Sequence, residues 1–232
     1  MVYSLITILI IPIIFLFIWI KYKGENNRKS WKLILLMFIW GSIIAFGFSI
    51  ILEGFAFYHI SNILILLLVF APIIEEISKA VGLRTVKAHI TELRDGIKFG
   101  VFCGFGFVAT ENLLYGAVYW NEGAIKLLFV FYLGVIGRTL IHISTTALTG
   151  YGYSRKIVRY KKLSAILPFI IFSIGIHALY NLLAISDLIV IQILGISISV
   201  LFTLVLFIFV RKNIKSTDQE ISPKKSAFIK IQ

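Results

Sequence analysis

The 232-residue sequence predicts an all-α, polytopic integral membrane bundle of about seven transmembrane helices. Apolar residues make up 59% of the chain, charged residues only 15%, and the mean hydropathy is +0.96. A spanning helix needs about 20 mostly apolar residues, and the sequence contains seven windows of that kind. Backbone groups in lipid must pair internally, so these windows are predicted to be helices rather than strands.

The predicted spans follow one another with short connections. They are 2–20, 33–57, 60–83, 97–119, 126–150, 163–185 and 187–210. The first has its basic flank after the apolar run, which argues against a cleavable signal peptide. Because no connection is long enough for a soluble domain, we predict a single transmembrane domain over 1–210 and a basic cytoplasmic tail over 211–232.

The windows differ in their polar content. The first, second and seventh carry no buried charge and are predicted to be peripheral. The third has Pro72 just before two acids, which predicts a kink and freed backbone carbonyls beside the acids. The fourth has Gly100 and Gly104 at a small-xxx-small spacing, extended by Gly106, which predicts close helix packing. The single cysteine, Cys103, is predicted to be a small buried hydrophobe.

The net charge of +12 is distributed in a way that argues for a membrane rather than a nucleic acid. Of the 23 lysine and arginine residues, 20 fall on alternate connections and the tail. The connections around 53–59, 120–126 and 186–187 carry one lysine among them. The positive-inside rule therefore predicts an outside N-terminus and a cytoplasmic C-terminus. Basic clusters beside spans also favour anionic lipid headgroups as partners.

Charged side chains inside the apolar windows are the strongest functional signal. Glu75 and Glu76 lie within the third window, with Lys79 one turn later. A charge at bilayer depth costs about 2.5–3.5 kcal/mol on insertion scales, so such groups indicate a functional site with an internal partner. Similar groups in the next three windows complete a predicted polar cavity: Glu111, Arg138, His142, His177 and Asn181.

These residue types suit hydrolysis of a peptide bond. A buried glutamate can act as general base for water. Glu76 is preferred over Glu75 for this role, although helical angles alone do not say which of the two faces the cavity. His177 and Asn181 lie one turn apart and could stabilise an oxyanion. Lys79 and Arg138 would supply counter-charges. Glutamate and histidine also suit zinc, but there is no HExxH motif and the spacing singles out no three ligands, so no cofactor is predicted.

Two other functions fit the same residues. Buried acids and histidines also form proton relays, which would suit a small proton-coupled transporter or channel. Such a protein would usually show an internal repeat, and the sequence has none. A non-catalytic relative that only binds a membrane partner would keep the fold and tolerate loss of a glutamate.

Four short motifs resemble those of one protease family. FAPIIEEISKAVGL contains E-E-x-x-K, and DGIKFGVFCGFGFVATENLLYG contains F-x-x-x-E-N. RTLIH supplies a mid-span histidine and HALYN supplies H-x-x-x-N. In this order and membrane setting, over residues 60–185, they resemble the PrsW family of intramembrane proteases, a relative of the CAAX prenyl endopeptidase and bacteriocin-processing group.

The resemblance implies an endopeptidase of the bacterial cytoplasmic membrane that cleaves a membrane-anchored protein such as an anti-sigma factor. Carried over by position, the family's catalytic residues are Glu75, Glu76, Glu111, His142 and His177. The last motif ends here in Asn181, as in the prenyl endopeptidase branch, where the PrsW family often has aspartate. The resemblance therefore leaves Asn181 as either an oxyanion donor or a structural partner, and it leaves metal dependence open.

Overall fold

The structure is a computed structural model that describes residues 28–121, 125–160 and 162–229. The described residues form six helices and no strand, which confirms the predicted all-α class. The helices are α1 (28–59), α2 (63–82), α3 (Leu93–Asn121), α4 (125–160), α5 (Leu167–Ala184) and α6 (Ile189–Ile229). Short 3₁₀ turns at Lys87–His89 and Leu163–Ala165 lie in the connections.

Four stretches among the described residues are long and apolar enough to cross a membrane, so the chain is a multi-pass membrane protein. They are Trp31–His59, Leu93–Ala117, Leu163–Ala184 and Ile189–Val210, and they correspond to the predicted spans 33–57, 97–119, 163–185 and 187–210. The predicted span 60–83 forms α2, which carries three charges, and 126–150 lies within α4. The predicted span 2–20 lies outside the described residues.

Three of the helices contain a π-helical segment. These segments are Trp40–Ala45 in α1, Leu66–Phe70 in α2 and Lys156–Tyr160 in α4. The start of α2 is fixed locally, because the Asn62 side chain accepts hydrogen bonds from the backbone amides of Leu64 (3.0 Å) and Ile65 (3.3 Å). The π-helical segment of α2 directly precedes Pro72 and the paired glutamates.

Glycines bring α3 against two neighbours, as the small-residue spacing predicts. A Cβ on Gly100 would collide with the Thr146 carbonyl of α4, and one on Gly104 with the His142 carbonyl. Gly106 lies in the same way against the Phe38 carbonyl of α1. Close backbone approach of this kind drives helix association in lipid, and it makes α3 the central helix between α1 and α4.

An apolar core closes one end of the bundle. It contains Ile34, Met37, Leu83, Val86, Ile90, Phe99, Phe102, Cys103, Tyr153 and Ile166. Cys103 is fully buried with a free thiol, which confirms its predicted place. The outer faces of α1, α5 and α6 remain apolar and exposed, as expected for helices that face lipid.

One prediction about α1 is wrong. The sequence placed a connection around 53–59 and treated the second span as free of polar site residues. In the structure, helix continues to His59 and the turn falls at 60–62. Glu53 therefore lies on a helix, one turn beyond Ser49, and both residues line the central cavity. The apolar residues around Glu53 continue the helical pattern, so the acid does not end the span.

Candidate functional site

A proline and a π-helical turn shape the backbone of α2 where it meets the site. The Ala71 amide donates to the Leu66 carbonyl, five residues back. The next bond in that register would run from residue 72 to the Leu67 carbonyl, but Pro72 has no N–H to donate. Asn181 of α5 fills this place, because its Nδ2 donates to the Leu67 oxygen at 3.1 Å. The predicted effect of Pro72 is thus seen as a freed carbonyl.

Glu76 is held by three donors at a single oxygen. Its Oε1 accepts from Lys79 Nζ at 2.7 Å and from Thr145 Oγ1 at 3.0 Å, and it lies 2.9 Å from His177 Nδ1. The side chains of Glu76 and Lys79 are both fully buried. A buried ion pair persists only when further hydrogen bonds satisfy its charges, and Thr145 and His177 provide them.

His142 is fixed between a cation and a carboxylate. Lys79 Nζ lies 2.9 Å from its Nδ1, and Glu111 Oε2 lies 2.8 Å from its Nε2. An ammonium can only donate and a carboxylate can only accept, so Nδ1 carries the lone pair and Nε2 carries the proton. The Phe107 ring stacks on the imidazole at 5.2 Å between centroids and holds its plane.

His177 has the opposite tautomer. Its Nδ1 faces the Glu76 carboxylate and donates to it, which leaves the lone pair on Nε2. The two imidazoles meet edge to face, with centroids 4.7 Å apart. Glu75 Oε2 is buried without a hydrogen-bond partner, and it lies 3.8 Å from both His177 Nε2 and His142 Nδ1.

Three atoms that can bind a metal therefore lie close together: Glu75 Oε2, His142 Nδ1 and His177 Nε2. The candidate ligand atoms of Glu75, His142 and His177 all lie within 4.8 Å of one another. Two nitrogens and one carboxylate oxygen are a ligand set found in zinc proteases, and tetrahedral bonds of zinc length separate neighbouring ligands by about 3.4 Å. The 3.8 Å separations approach that value. Of the residues that the structure describes, Lys79 competes for His142 Nδ1, which lies 2.9 Å from the Lys79 Nζ.

A cavity of about 260 Å³ adjoins these residues at Glu75 and Glu111. It lies between the C-terminal parts of α1, α3 and α5. Its walls contain both charged and apolar side chains. They are Phe46, Ser49, Ile50, Glu53, Leu67, Ala71, Glu75, Phe107, Glu111, Leu114, Tyr115, Arg138, Tyr180, Asn181, Ala184 and Ile185. The Arg138 Nε donates to Asn112 Oδ1 at 2.9 Å, and its guanidinium stacks over the Tyr115 ring at 4.3 Å.

The structure brings the sequence-predicted residues together but divides them between two layers. Glu75, Glu111, Arg138 and Asn181 line the cavity. The described wall does not include His142, His177, Glu76 or Lys79, which lie next to it; Lys79 contacts His142, and Glu76 contacts His177. The sequence favours Glu76 as the base, but helical angles leave open which glutamate faces the cavity. In the structure the cavity wall contains Glu75.

Sequence reasoning missed four contributors. Thr145 bonds Glu76, Asn112 holds Arg138, and Ser49 and Glu53 line the cavity. Thr145 lies three residues after His142 and Asn112 directly follows Glu111, so their closeness to predicted residues was an available signal. Glu53 offered a clearer signal, since it is an acid six residues before the end of a continuous apolar helix.

Comparison with known proteins gives two matches. A family model described as "PrsW family intramembrane metalloprotease" matches residues 29–210 of this chain. "Protease PrsW" of Clostridioides difficile (strain 630) is 29% identical over 119 residues, which are 48% of this chain and 50% of the relative. The chain thus aligns with about half the length of that curated relative. No solved structure matches.

Proposed function

Because the chain belongs to the PrsW family of intramembrane metalloproteases, we propose that it hydrolyses a peptide bond of a membrane-anchored protein in the central cavity. The reaction takes place at the part of the wall formed by Glu75 and Glu111, which we call the floor. The observation that carries the proposal is the convergence of Glu75 Oε2, His142 Nδ1 and His177 Nε2 inside a bundle of membrane helices. A transporter needs no such convergence of ligand atoms, and the family match gives it no support.

Glu75, His142 and His177 would hold the metal, with zinc as the ion their donor set favours. When bound, such an ion lowers the pKa of a water and polarises the scissile carbonyl. Two further carboxylates, those of Glu76 and Glu111, orient the two histidine ligands. Glu76 fixes the tautomer of His177 and Glu111 fixes that of His142, an arrangement that raises the basicity of histidine ligands.

We assign proton transfer to Glu111 rather than to Glu76, the residue favoured by the sequence. Glu76 Oε1 already accepts three hydrogen bonds, and Glu76 Oε2 is buried without a partner among the described residues. The cavity wall that those residues form does not include Glu76. Glu111 lies on that wall with its Oε2 against His142 Nε2. Its other oxygen, Oε1, is therefore the atom to which we assign the task of taking a proton from water and returning it to the leaving amine.

Asn181 acts in this proposal by positioning. Its hydrogen bond to the Leu67 carbonyl ties α5 to α2 and so sets His177 against Glu75 and Glu76. The same side chain lines the cavity, where its second amide hydrogen can meet a substrate carbonyl. Arg138, held by Asn112 and Tyr115, lies above the reacting layer and offers a further donor to the substrate backbone.

The proposed substrate is a single-span protein of the cytoplasmic membrane, such as an anti-sigma factor. The proposed orientation is N-terminus outside and C-terminus cytoplasmic, with basic loops against anionic lipid headgroups. Apolar lining residues such as Phe46, Ile50, Leu114 and Ile185 suit a substrate segment that arrives from lipid. The charged floor then provides the polar environment that peptide hydrolysis requires.

The test combines metal content with turnover in purified protein reconstituted with a single-span substrate. We expect Glu75→Gln and His177→Ala to lose both zinc and cleavage. Glu111→Gln should keep zinc and lose about 10²–10⁴ in rate, while Glu76→Gln should weaken zinc binding about 10–100-fold. The exposed residues Glu92 and His89 provide the matched controls, Glu92→Gln and His89→Ala.

Two results would overturn the proposal. Wild-type cleavage by Glu75→Gln and Glu111→Gln would remove the site from the reaction. Full activity in protein that binds no metal, even with zinc supplied, would refute the metal-dependent mechanism. The reaction would then depend on a glutamate alone as the general base.

A further inference from the structure

Ser49 and Glu53 form a second polar feature of the cavity, on α1. They lie four residues apart, so both face the same side of the helix, and both line the cavity. Glu53 is about 9 Å from the helix end at His59, counted at 1.5 Å per residue. An acid at that depth in an apolar span is costly and indicates a functional partner.

Neither side chain is satisfied by the residues that the structure describes. Ser49 is 1% exposed, and its hydroxyl has no hydrogen-bond partner there. Glu53 is half-buried and makes no ion pair with any described lysine, arginine or histidine. Most buried hydroxyls have a partner, so Ser49 is an independent sign that this wall receives a polar ligand.

The charges around the cavity decide what that ligand is. Glu75 and Glu111 join Glu53 on the walls, and the described walls contain one cation, Arg138. Arg138 donates to Asn112 and stacks on the Tyr115 ring, and its Nη2 is buried without a partner among the described residues. The described walls therefore offer one cation against three acids. An anion would be repelled by three carboxylates, whereas an ammonium or guanidinium gains a carboxylate and a hydroxyl acceptor.

We propose that Glu53 and Ser49 bind a basic side chain of the substrate, lysine or arginine, close to the scissile bond. The inference rests on the proposed protease function. The basic side chain must belong to a residue near the scissile bond, because Glu53 and the floor residues Glu75 and Glu111 line the same 260 Å³ cavity. A long, flexible lysine or arginine side chain can extend through the cavity to Glu53 while the peptide backbone lies at the floor. No step of the hydrolysis passes through Glu53, so it is a specificity residue.

The experiment measures kcat/KM for three substrates that differ only at one position near the cleavage site. Single-span substrates carry lysine, glutamine or glutamate at each flanking position in turn, and the protein is reconstituted in neutral-lipid vesicles. We expect wild type to prefer lysine over glutamine at one position by about tenfold. Glu53→Gln should abolish that ratio, and Glu53→Lys should reverse it in favour of glutamate.

Controls separate specificity from folding. Gly54→Ala is the matched control, because a Cβ there meets nothing within 4 Å and the residue adjoins Glu53; its lysine-to-glutamine ratio should equal that of wild type. Ser49→Ala should reduce the ratio less than Glu53→Gln does.

The outcomes also separate the two proposals. If wild type cleaves lysine, glutamine and glutamate substrates equally at every position, the basic-residue site is refuted while the protease function stands. If Glu53→Gln lowers all three rates by the same factor, Glu53 is structural and the inference also fails. Absence of cleavage of every substrate by metal-loaded wild type would refute the protease function itself.

Discussion

The Asn181 side chain donates a 3.1 Å hydrogen bond to the Leu67 carbonyl, the acceptor that Pro72 leaves unpaired in the π-helical register of α2. This bond joins the helix of His177 to the helix of the paired glutamates. A cross-helix bond of this kind fixes both rotation and height, and the contacts among His177, Glu75 and Glu76 depend on both. Pro72 removes a hydrogen bond within α2, and the carbonyl left free by it determines how α2 and α5 pack together.

We predict that Asn181→Ala destabilises the fold by about 0.5–1.5 kcal/mol, because it removes a partly buried hydrogen bond to the Leu67 carbonyl. Pro72→Ala restores a backbone N–H in reach of that carbonyl, so the double variant should lose less than the two single losses added together. Unfolding in detergent would measure both effects. The control is Gln192→Ala, which removes a similar side chain-to-backbone bond (2.8 Å to Ser186) away from the site. Strict additivity of Asn181→Ala and Pro72→Ala would contradict the explanation.

The fold class and the membership of the site could be predicted from the sequence, because both follow from the cost of polar groups in lipid. Glu75, Glu111, His142 and His177 were expected to meet, and they do. The division of labour between Glu75 and Glu76 could not be predicted. It depends on the π-helical turn at Leu66–Phe70, which rotates the following residues away from ideal α-helical angles.

Contacts between side chains of different helices also could not be predicted from the sequence. Thr145 is an ordinary residue for a membrane helix, and only its approach to Glu76 gives it a role. The candidate metal ligands have no sequence spacing in common, because they come from three different helices. Glu53 was misplaced because a charge near the end of an apolar window resembles the beginning of a connection.

The proposed orientation predicts which turns can be reached from outside the cell. Ser61 lies between α1 and α2, and Ser164 lies between α4 and α5; both are exposed. In a Cys103→Ala background, a membrane-impermeant thiol reagent should modify Ser61→Cys in intact cells and leave Ser164→Cys untouched until the cells are opened. The background is needed because Cys103 is a free thiol. The reverse pattern would invert the orientation and the assignment of the basic loops to the cytoplasm.

Close packing at Gly104 predicts a linked loss of stability and activity. A Cβ there would collide with the His142 carbonyl of α4, so Gly104→Ala must push α3 from α4 and separate Glu111 from His142. Overpacking of this kind costs about 1–3 kcal/mol. Gly47→Ala is the matched control, since a Cβ at Gly47 meets nothing within 4 Å, and alanine should raise helix stability there by up to about 1 kcal/mol. Equal behaviour of the two variants in thermal unfolding would refute the close approach.

The Glu76–Lys79 pair predicts strong coupling in a double-mutant cycle. Lys79→Met leaves a fully buried carboxylate without its cation, and loss of one partner of such a pair costs about 3–5 kcal/mol. Glu76→Gln/Lys79→Met removes both charges, so its unfolding free energy should recover most of that loss. The recovered protein should still be impaired in cleavage, because a neutral residue 76 no longer holds the imidazole of His177 as a carboxylate does.

The matched control for this cycle is the Asp95–Lys98 pair of α3. It has the same i,i+3 spacing, but its atoms are 3.3 Å apart and its side chains are partly exposed. Water screens such a pair, so Asp95→Asn/Lys98→Met should show a coupling energy of only about 0.2–1 kcal/mol. Additive losses at Glu76 and Lys79, no larger than those at Asp95 and Lys98, would mean that the buried pair is hydrated in the membrane. Glu76 could then exchange protons with water and serve as the base, and Glu111 would lose that assignment.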